Sequence, residues 1–336
     1  MARWVARIAA LAACVVGCSP AVVDAPPGPD AAAADARPPS DGGGSTGTSS
    51  TCITYAYARC SYLQNCSPTA VLNRYGSTAQ CQTIFQGLCE NSLGAPSTGT
   101  TAGTLSNCET ALPGWVCDDY LYNENIPPAC QTALGSLPAG SPCGLAQQCR
   151  SGYCALPLHG ACGTCEAVPP TGASCAALVC PPTLTCVAAT QTCVAFAQEG
   201  ASCSVSQPCS DGLTCVVAAG ATTGVCEEGV ATANSACSFT GAGCNFYQGL
   251  TCNVQTGQCA TATLGVAGQA CGIVGAQSAS CIAGLCVRGA CQAYALPGAA
   301  CDTASGPTCT GDARCIIAAD GGTAGTCQLN GASACP

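Results

Sequence analysis

Cysteine is the residue that most constrains how this chain can fold. The sequence contains 36 Cys among 336 residues, about 11%, a level typical of disulfide scaffolds. Aromatic residues make up only 4%, so few large side chains are available to fill a single core. Such a chain cannot offset its conformational entropy by burial alone. We therefore predict a small disulfide-rich fold, built from several units that covalent bridges hold together.

The charged residues argue against several classes of function. The chain has 8 basic residues, all of them Arg, against 17 acidic residues, and its formal net charge is −9. Binding to nucleic acid needs clustered Lys or Arg, which is missing here. The single histidine, His159, leaves little capacity for general base catalysis or for mixed Cys/His metal sites. We expect a non-enzymatic protein without a cofactor, a metal or a nucleic-acid partner.

The amino terminus has the pattern of an export signal. Arg3 and Arg7 precede an apolar run over residues 8–16, which is too short to span a bilayer. The run ends in Val15-Val16-Gly17-Cys18, which resembles the lipobox of bacterial lipoproteins. This resemblance implies that residues 1–17 are a signal peptide and that Cys18 carries lipid. Ser19, rather than Asp, then favours an outer-membrane or cell-surface lipoprotein attached to the membrane through its lipid anchor.

Two cysteine patterns follow a linker over residues 18–51, which is rich in Pro, Ala, Gly and Ser and shows no apolar periodicity. In residues 52–136 the spacing is helical, because Cys52 and Cys60 are eight residues apart, as are Cys81 and Cys89. If these two helices pack antiparallel, the equal spacing predicts the bridges Cys52–Cys89 and Cys60–Cys81. We therefore expect a short α-helical cysteine-rich domain.

Residues 137–336 read as a tandem array of about six repeats of four cysteines. Each repeat starts with a Gly-x-x-Cys or related motif, and the first cysteines are Cys143, Cys175, Cys203, Cys237, Cys271 and Cys301. The third and fourth cysteines flank a turn of variable length, which predicts a β-hairpin with an outward-facing tip. The expected architecture is a helical head followed by a stiff array of small β-hairpin repeats with little regular secondary structure.

Four cysteines allow three connectivities, and we predict the interleaved one, first to third and second to fourth, because it ties the leading loop to both hairpin strands. The predicted pairs are Cys175–Cys186, Cys180–Cys193, Cys203–Cys215, Cys209–Cys226, Cys237–Cys252, Cys244–Cys259, Cys271–Cys286, Cys281–Cys291, Cys301–Cys315 and Cys309–Cys327. Without Cys14 and Cys18, 34 cysteines remain, 8 in the helical region and 26 in the array. Six sets of four leave two extra cysteines, which we identify as Cys165 and Cys335. Cys335 could bridge back, pair between chains or stay free.

The first repeat also carries a family resemblance. Residues 136–167, with Cys143, Cys149-Arg-Ser-Gly-Tyr-Cys154 and Cys162-Gly-Thr-Cys165, resemble the Dickkopf amino-terminal cysteine-rich region. The chain as a whole is similar to cysteine-rich lipoproteins of myxobacteria that carry such repeats behind a lipobox. This resemblance implies an architecture rather than an activity, since the carboxy-terminal half of animal Dickkopf proteins has no counterpart here.

Several other functions deserve comparison with a scaffold role. Cys162-Gly-Thr-Cys165 has the spacing of a thiol-disulfide oxidoreductase, but its surroundings favour a structural bridge. The acidic group Asp118, Asp119, Asn123 and Glu124 lacks the spacing of a calcium loop, and we interpret it as a solvated loop. A secreted disulfide-rich protease inhibitor is the principal alternative. We favour a cell-envelope lipoprotein that acts as a surface binding, adhesion or structural scaffold for an unknown extracellular protein or glycan.

Overall fold

The computed structural model describes residues 48–335 apart from 182–183, 211–212, 219, 239–242, 276, 312, 318–321 and 332–334. The predicted signal peptide, Cys18 and most of the linker lie outside the described residues. The described part consists of a helical region followed by many small antiparallel sheets, joined by 17 disulfides. This architecture confirms the expected fold class.

The described α-helices all lie between residues 48 and 122. The α-helices are α1 (Thr48–Cys66), α2 (Pro68–Tyr75), α3 (Thr78–Gly94), α4 (Ala102–Ala111) and α5 (Cys117–Tyr122), and short 3₁₀ turns lie at Leu112–Gly114, Pro128–Cys130, Ala146–Gln148 and Phe246–Gln248. Local signals explain the sharp break between α1 and α2. The Ser67 hydroxyl accepts a hydrogen bond from the Ala70 amide (3.0 Å), and Pro68 occupies the first helical position, where its missing N–H is harmless.

Helices α1 and α3 form a covalently linked antiparallel pair. The disulfides Cys52–Cys89 and Cys60–Cys81 join them, with Cα–Cα distances of 5.4 and 5.9 Å. These are the two pairs that the eight-residue spacing predicts. Cys66–Cys117 then ties α1 to α5, and Cys108–Cys130 ties α4 to the Pro128–Cys130 turn.

Aromatic residues fill the core that these helices enclose. The ring of Tyr120 packs edge-on against those of Tyr62 and Trp115, with centroids 5.0 and 5.1 Å apart. The Trp115 indole N–H donates to the carbonyl of Glu124 (2.9 Å), so its polar atom is satisfied although the side chain is buried. The helical region therefore has a conventional hydrophobic core in addition to its bridges.

The array contains short strands of two to six residues. They are β1 (Pro142–Cys143), β2 (Cys154–Ala155), β3 (Gly163–Cys165), β4 (Leu184–Val187), β5 (Thr192–Ala195), β6 (Ser202–Cys203), β7 (Thr214–Val217), β8 (Gly224–Glu227), β9 (Leu250–Asn253), β10 (Gln258–Thr261), β11 (Thr263–Gly265), β12 (Gly272–Val274), β13 (Gln277–Cys281), β14 (Gly284–Val287), β15 (Ala290–Ala293), β16 (Ala300–Asp302), β17 (Ala313–Ile317) and β18 (Ala324–Leu329). We number the repeats 1 to 6, over residues 138–165, 170–193, 198–226, 232–259, 266–291 and 296–327. Each repeat has one antiparallel hairpin in which its third and fourth cysteines lie directly opposite each other.

Each repeat opens with the same turn, shown here for repeat 3. The Ala201 amide donates to the Gln198 carbonyl (3.0 Å), and Gly200 between them has φ +74°, as in a type II turn. The Gly200 amide then donates to the Cys226 carbonyl (2.8 Å), while the Cys226 amide donates to the Ala201 carbonyl (2.9 Å). Equivalent bonds occur in the other five repeats, so this turn pairs with the strand of the fourth cysteine.

The disulfides of repeats 2 to 6 follow the interleaved connectivity. The bonded pairs are Cys175–Cys186, Cys180–Cys193, Cys203–Cys215, Cys209–Cys226, Cys237–Cys252, Cys244–Cys259, Cys271–Cys286, Cys281–Cys291, Cys301–Cys315 and Cys309–Cys327. They coincide with the predicted pairs. The third and fourth cysteines face each other across the hairpin, yet each bonds to the leading segment, so two bridges clamp that segment against the hairpin.

Repeat 1 corrects our identification of the extra cysteines. Its bridges are Cys143–Cys154 and Cys149–Cys165, so Cys165 is the fourth cysteine of the repeat and not an extra one. The reason is register, because Cys165 lies directly opposite the third cysteine, Cys154, in the β2–β3 hairpin. The extra cysteine is Cys162, and it bonds to Cys335. Of the three fates considered for Cys335, bridging back is the one observed.

The array follows the surface of the helical region and does not form a separate rod. The Gly99 amide donates to the Gln147 carbonyl in repeat 1 (2.9 Å), and the Ser67 hydroxyl donates to the Tyr247 carbonyl in repeat 4 (2.6 Å). Further along, the Asn73 amide group donates to the Cys281 carbonyl in repeat 5 (3.0 Å). The Asn91 amide group donates to the Asn330 carbonyl, just after repeat 6 (3.1 Å). The array is therefore seated on the helices, a packing that the cysteine spacing did not specify.

Candidate functional site

The two ends of the array meet at a contact that we call the closure, formed by residues 157–162 of repeat 1 with Arg314, Ile317 and Cys335. The guanidinium of Arg314 donates to the carbonyls of Pro157, Leu158 (2.9 Å) and Gly160 (3.2 Å). The Ile317 amide donates to the His159 carbonyl (3.2 Å). The Cys162–Cys335 disulfide makes the contact covalent across 173 positions of sequence. Partial burial of the Arg314 guanidinium lowers the pKa of this side chain.

The closure and repeat 1 account for the three residues with candidate catalytic chemistry. His159 is exposed in the turn that Arg314 binds, and only its backbone takes part in the contact. Cys162 and Cys165 do not bond to each other, because Cys162 pairs with Cys335 and Cys165 with Cys149. The Cys-x-x-Cys motif thus supplies one cysteine to the closure and one to the interior of repeat 1.

The acidic group around α5 gathers carboxylates from distant parts of the chain. Burial, followed by repulsion from Asp118, Glu199 and other carboxylates, raises the pKa of Glu228. Burial and the charges of Asp119 and Glu199 likewise raise the pKa of Glu124. Asp118 and Asp119 also lie in the first turn of α5, and the Asn125 amide group donates to the Asp119 carboxylate (2.8 Å).

Clustered cysteine sulfurs do not form open metal sites in the part of the chain that the structure describes. Triplets such as Cys143, Cys149 and Cys165 bring their sulfurs within 4.8 Å of one another. Each of these cysteines already belongs to a disulfide. A disulfide sulfur lacks the thiolate charge that zinc binding requires, so these triplets are structural.

A partly buried arginine in the helical region is the feature that sequence reasoning missed. Arg59 extends from α1 among three aromatic rings, and its guanidinium carbon lies 5.0 Å from the ring centroid of Phe85, 5.5 Å from Tyr120 and 5.9 Å from Tyr55. One nitrogen, Nη1, donates to the Tyr55 hydroxyl (3.1 Å). The Nε atom is buried and has no hydrogen-bond partner among the described residues.

Arg59 keeps its charge in this environment. Burial by itself lowers the pKa of the guanidinium, but interactions with Tyr120 and Tyr55 raise it, and the net shift is upward. No carboxylate contributes to this shift, and no described carboxylate forms an ion pair with Arg59. The side chain is therefore a partly buried cation held by aromatic faces and two phenols.

A cavity of about 240 Å³ adjoins Arg59. Tyr55 and Arg59 line it from α1, Phe85 and Leu88 from α3, and Thr104 and Leu105 from α4. The segment 129–133, after the Pro128–Cys130 turn, and Gln147 of repeat 1 complete the wall. Repeat 1 thus adds to the wall of a cavity that the helices create.

The only sequence signal for this cavity is that Arg59 follows Tyr55 by one helical turn. This spacing predicts contact between the two side chains but not their burial.

The described helices and the disulfides bear on where the protein folds. Among the described helices, none combines the length and the apolar character needed to cross a bilayer. Seventeen disulfides indicate that the protein folds in an oxidising compartment outside the cytosol. Comparison with known proteins found no matching protein family, no similar curated protein and no similar solved structure.

Proposed function

We propose that this chain is a non-enzymatic lipoprotein of the cell envelope, anchored through Cys18, whose disulfide-locked array acts as a surface scaffold for binding or adhesion. The closure is the observation that carries this proposal. A bridge between the two ends of the array, together with Arg314, restrains the backbone that supports every hairpin tip. Binding surfaces gain affinity when their loops are ordered before contact.

Exposed apolar side chains lie on the loops between the first and second cysteines of two repeats. Val205 is 94% exposed at a tight turn, where the amides and carbonyls of Ser204 and Gln207 bond to each other (3.0 and 3.1 Å). Ile273 is 66% exposed next to the β12–β13 turn. Single exposed apolar residues are common on protein surfaces, so these two are assigned to binding by the proposal and not by exposure alone. The ordered backbone of both loops supports a binding role over a passive coat.

The anchor and the bridges are tested together by intact mass. The full chain is expressed in a Gram-negative host, extracted from the membrane and weighed before and after reduction. We expect a lipid-modified Cys18 as the first residue and a gain of about 34 Da on reduction, two hydrogens for each of 17 bridges. An amino terminus without lipid would contradict the anchored scaffold and favour the secreted inhibitor.

Binding is tested with the same native protein, labelled and added to cells and envelope extracts. We expect saturable labelling that unlabelled protein competes away, and weaker labelling by the double variant Val205→Ser, Ile273→Ser. The matched control is Val116→Ser with Leu134→Ser, two residues that are 61% and 60% exposed outside the six repeats. Equal loss of labelling in both double variants, or no saturable labelling of any surface, would contradict a role for Val205 and Ile273 in binding.

A further inference from the structure

The strongest unexplained feature of the molecule is the hydrogen-bonding state of Arg59. A guanidinium has five N–H donors, and the acceptors of Arg59 among the described residues are two phenols, the Tyr55 hydroxyl, which accepts from Nη1, and the Tyr120 hydroxyl. Nε is fully buried without one. A buried donor that lacks an acceptor destabilises the folded state, and an unpaired buried charge does so more strongly. Arg59 thus has unused capacity to bind an acceptor.

The aromatic rings explain part of this arrangement but not all of it. Contacts with Phe85 and Tyr120 stabilise the positive charge through the faces of the rings. A ring face does not supply a hydrogen-bond acceptor in the plane of the guanidinium. Nε has no accessible surface, so an anion reaches Arg59 through the part of its side chain that lines the cavity.

The cavity beside Arg59 has the size and lining for a small molecule. Its volume of about 240 Å³ lies just below the usual range for sites that hold drug-sized ligands. Leu88 and Leu105 give it apolar surface, and the hydroxyls of Ser92, Thr100 and Thr104 add polar groups. Such a lining suits a compact ligand with one charged end and a short apolar body.

The distribution of charge selects an anion. The chain carries a formal net charge of −9, and no carboxylate among the described residues pairs with Arg59. A cation without an ion-pair partner favours an anionic ligand over a neutral or cationic one, although the negative net charge of the chain opposes the approach of anions. Arginine binds carboxylates and tetrahedral oxyanions alike, so it is the leucine surface of the cavity that favours a carboxylate with an apolar body.

We infer that Arg59 and the adjoining cavity form a binding site for a small monocarboxylate with a short apolar body. The guanidinium binds the carboxylate, and the leucines of α3 and α4 contact the body of the ligand. Repeat 1 contributes Gln147 to the wall, so the complete site requires the array to be seated on the helices. This inference is independent of the binding role proposed for Val205 and Ile273.

The test is calorimetric titration of the native, oxidised full-length protein with acetate, butyrate and benzoate, each beside its neutral amide, and with sulfate. We expect saturable binding of at least one carboxylate, tighter for the larger apolar bodies, and about tenfold or more weaker for the matching amide. Amides that bind as well as their acids, sulfate that binds more tightly than every carboxylate, or no saturable binding at all would each overturn the inference.

Variants assign the binding to Arg59. Arg59→Met keeps most of the side-chain volume and removes the charge, and it should weaken carboxylate binding about tenfold or more. Leu105→Trp leaves Arg59 in place and fills the cavity, so it should weaken binding even if Arg59→Met fails to fold. Arg150→Met, at an exposed arginine of repeat 1, makes the same change in net charge and should leave affinity unchanged. Equal affinity in Leu105→Trp and the native protein, or equal loss in Arg150→Met, would overturn the assignment.

Discussion

Individual glycines control the geometry of the repeats. The residue three positions before the first cysteine has φ between +65° and +91° in all six repeats, and it is Gly in five of them and Asn in repeat 4. A left-handed backbone strains residues with a Cβ atom, and Gly and Asn tolerate it best. The Gly-x-x-Cys pattern therefore reflects a turn requirement in addition to a disulfide.

Gly200→Ala tests this requirement. The position has φ +74° and no heavy atom within 4 Å of an added Cβ, so the substitution changes backbone strain and not packing. We expect destabilisation of about 1–2 kcal/mol, seen as a lower Tm of the oxidised protein. Gly94→Ala, at the end of α3, also meets open space but lacks a positive φ, and it should leave Tm unchanged or raise it. Equal effects of the two variants would contradict this explanation.

The carboxylates near α5 predict an unusual response to acid. The pKa of Glu228 is raised in the folded protein, so the folded state binds a proton more tightly than the unfolded state. The stabilising effect of protonation is present at low pH and is lost as pH rises through the folded pKa. We expect Tm to increase when pH falls from 7 to about 5, and Glu228→Gln to reduce this increase.

The matched control for Glu228 is Glu109→Gln in α4. This residue is not among the carboxylates that raise the pKa of Glu228, although the substitution removes the same charge. It should leave the pH dependence of Tm close to that of the native protein. If Tm falls steadily between pH 7 and 5, or if both variants change the profile alike, the acidic group does not act as described.

The hairpin and its leading turn form the unit of the array. Two backbone hydrogen bonds join the leading turn to the strand of the fourth cysteine, as between Gly200 and Cys226 in repeat 3. The two bridges add links from the first cysteine to the third and from the second to the fourth. The hairpin tip lies outside this frame. This division explains why tip length varies between repeats whereas the distance from the turn to the first cysteine does not.

Insertions should distinguish the frame from the tip. Adding Gly-Ser-Gly between Thr222 and Thr223, beyond the ends of β7 and β8, should change stability by less than about 1 kcal/mol and leave no free thiol. Adding one Gly between Ala201 and Ser202 shifts β6 by one residue and misplaces Cys203 opposite β8. Alkylation followed by mass measurement should then detect free thiols. A fully oxidised product from the second insertion would contradict a fixed frame.

The complete described region is stabilised by the seating of the array on the helices and by its closure. Tyr247 of repeat 4 is buried in the helical core, where Arg74 donates to its hydroxyl (2.6 Å). Leu329, at the end of the last strand, packs against the same core. Contacts from repeats 1, 4 and 5, and from the segment after repeat 6, therefore make the helices and the array one folded unit.

Removing the closure bond should loosen the ends of the array and spare the helices. For the double variant Cys162→Ser, Cys335→Ser, the chain-entropy model gives a loss of folding stability of at most about 5 kcal/mol for a separation of 173 residues. The other bridges already restrain the unfolded chain, so they reduce this loss. We expect faster hydrogen exchange at the Ile317 amide, which donates to His159, and unchanged exchange at the Cys81 amide in α3. Cys203→Ser with Cys215→Ser is the control, since it removes one bridge within repeat 3 and leaves repeat 6 and the closure bond in place. Unchanged exchange at Ile317 in the closure variant would show that the bond restrains nothing.

Cysteine spacing alone determined much of this molecule. The pairs Cys52–Cys89 and Cys60–Cys81 follow from helical periodicity, and those of repeats 2 to 6 follow from the form of one small unit. In each case the bonded residues are at most 37 positions apart and belong to one element pair or one repeat. Local geometry therefore limits the partners that each cysteine can reach.

Only the tertiary structure decided which distant parts of the chain meet. Cys162 is 173 positions from Cys335, and the sequence could not distinguish it from Cys165, because the β2–β3 register that separates the two is a three-dimensional property. The cavity beside Arg59 likewise combines α1, α3, α4 and repeat 1. Periodicity describes one element at a time, whereas the burial of Arg59 depends on how several elements pack together.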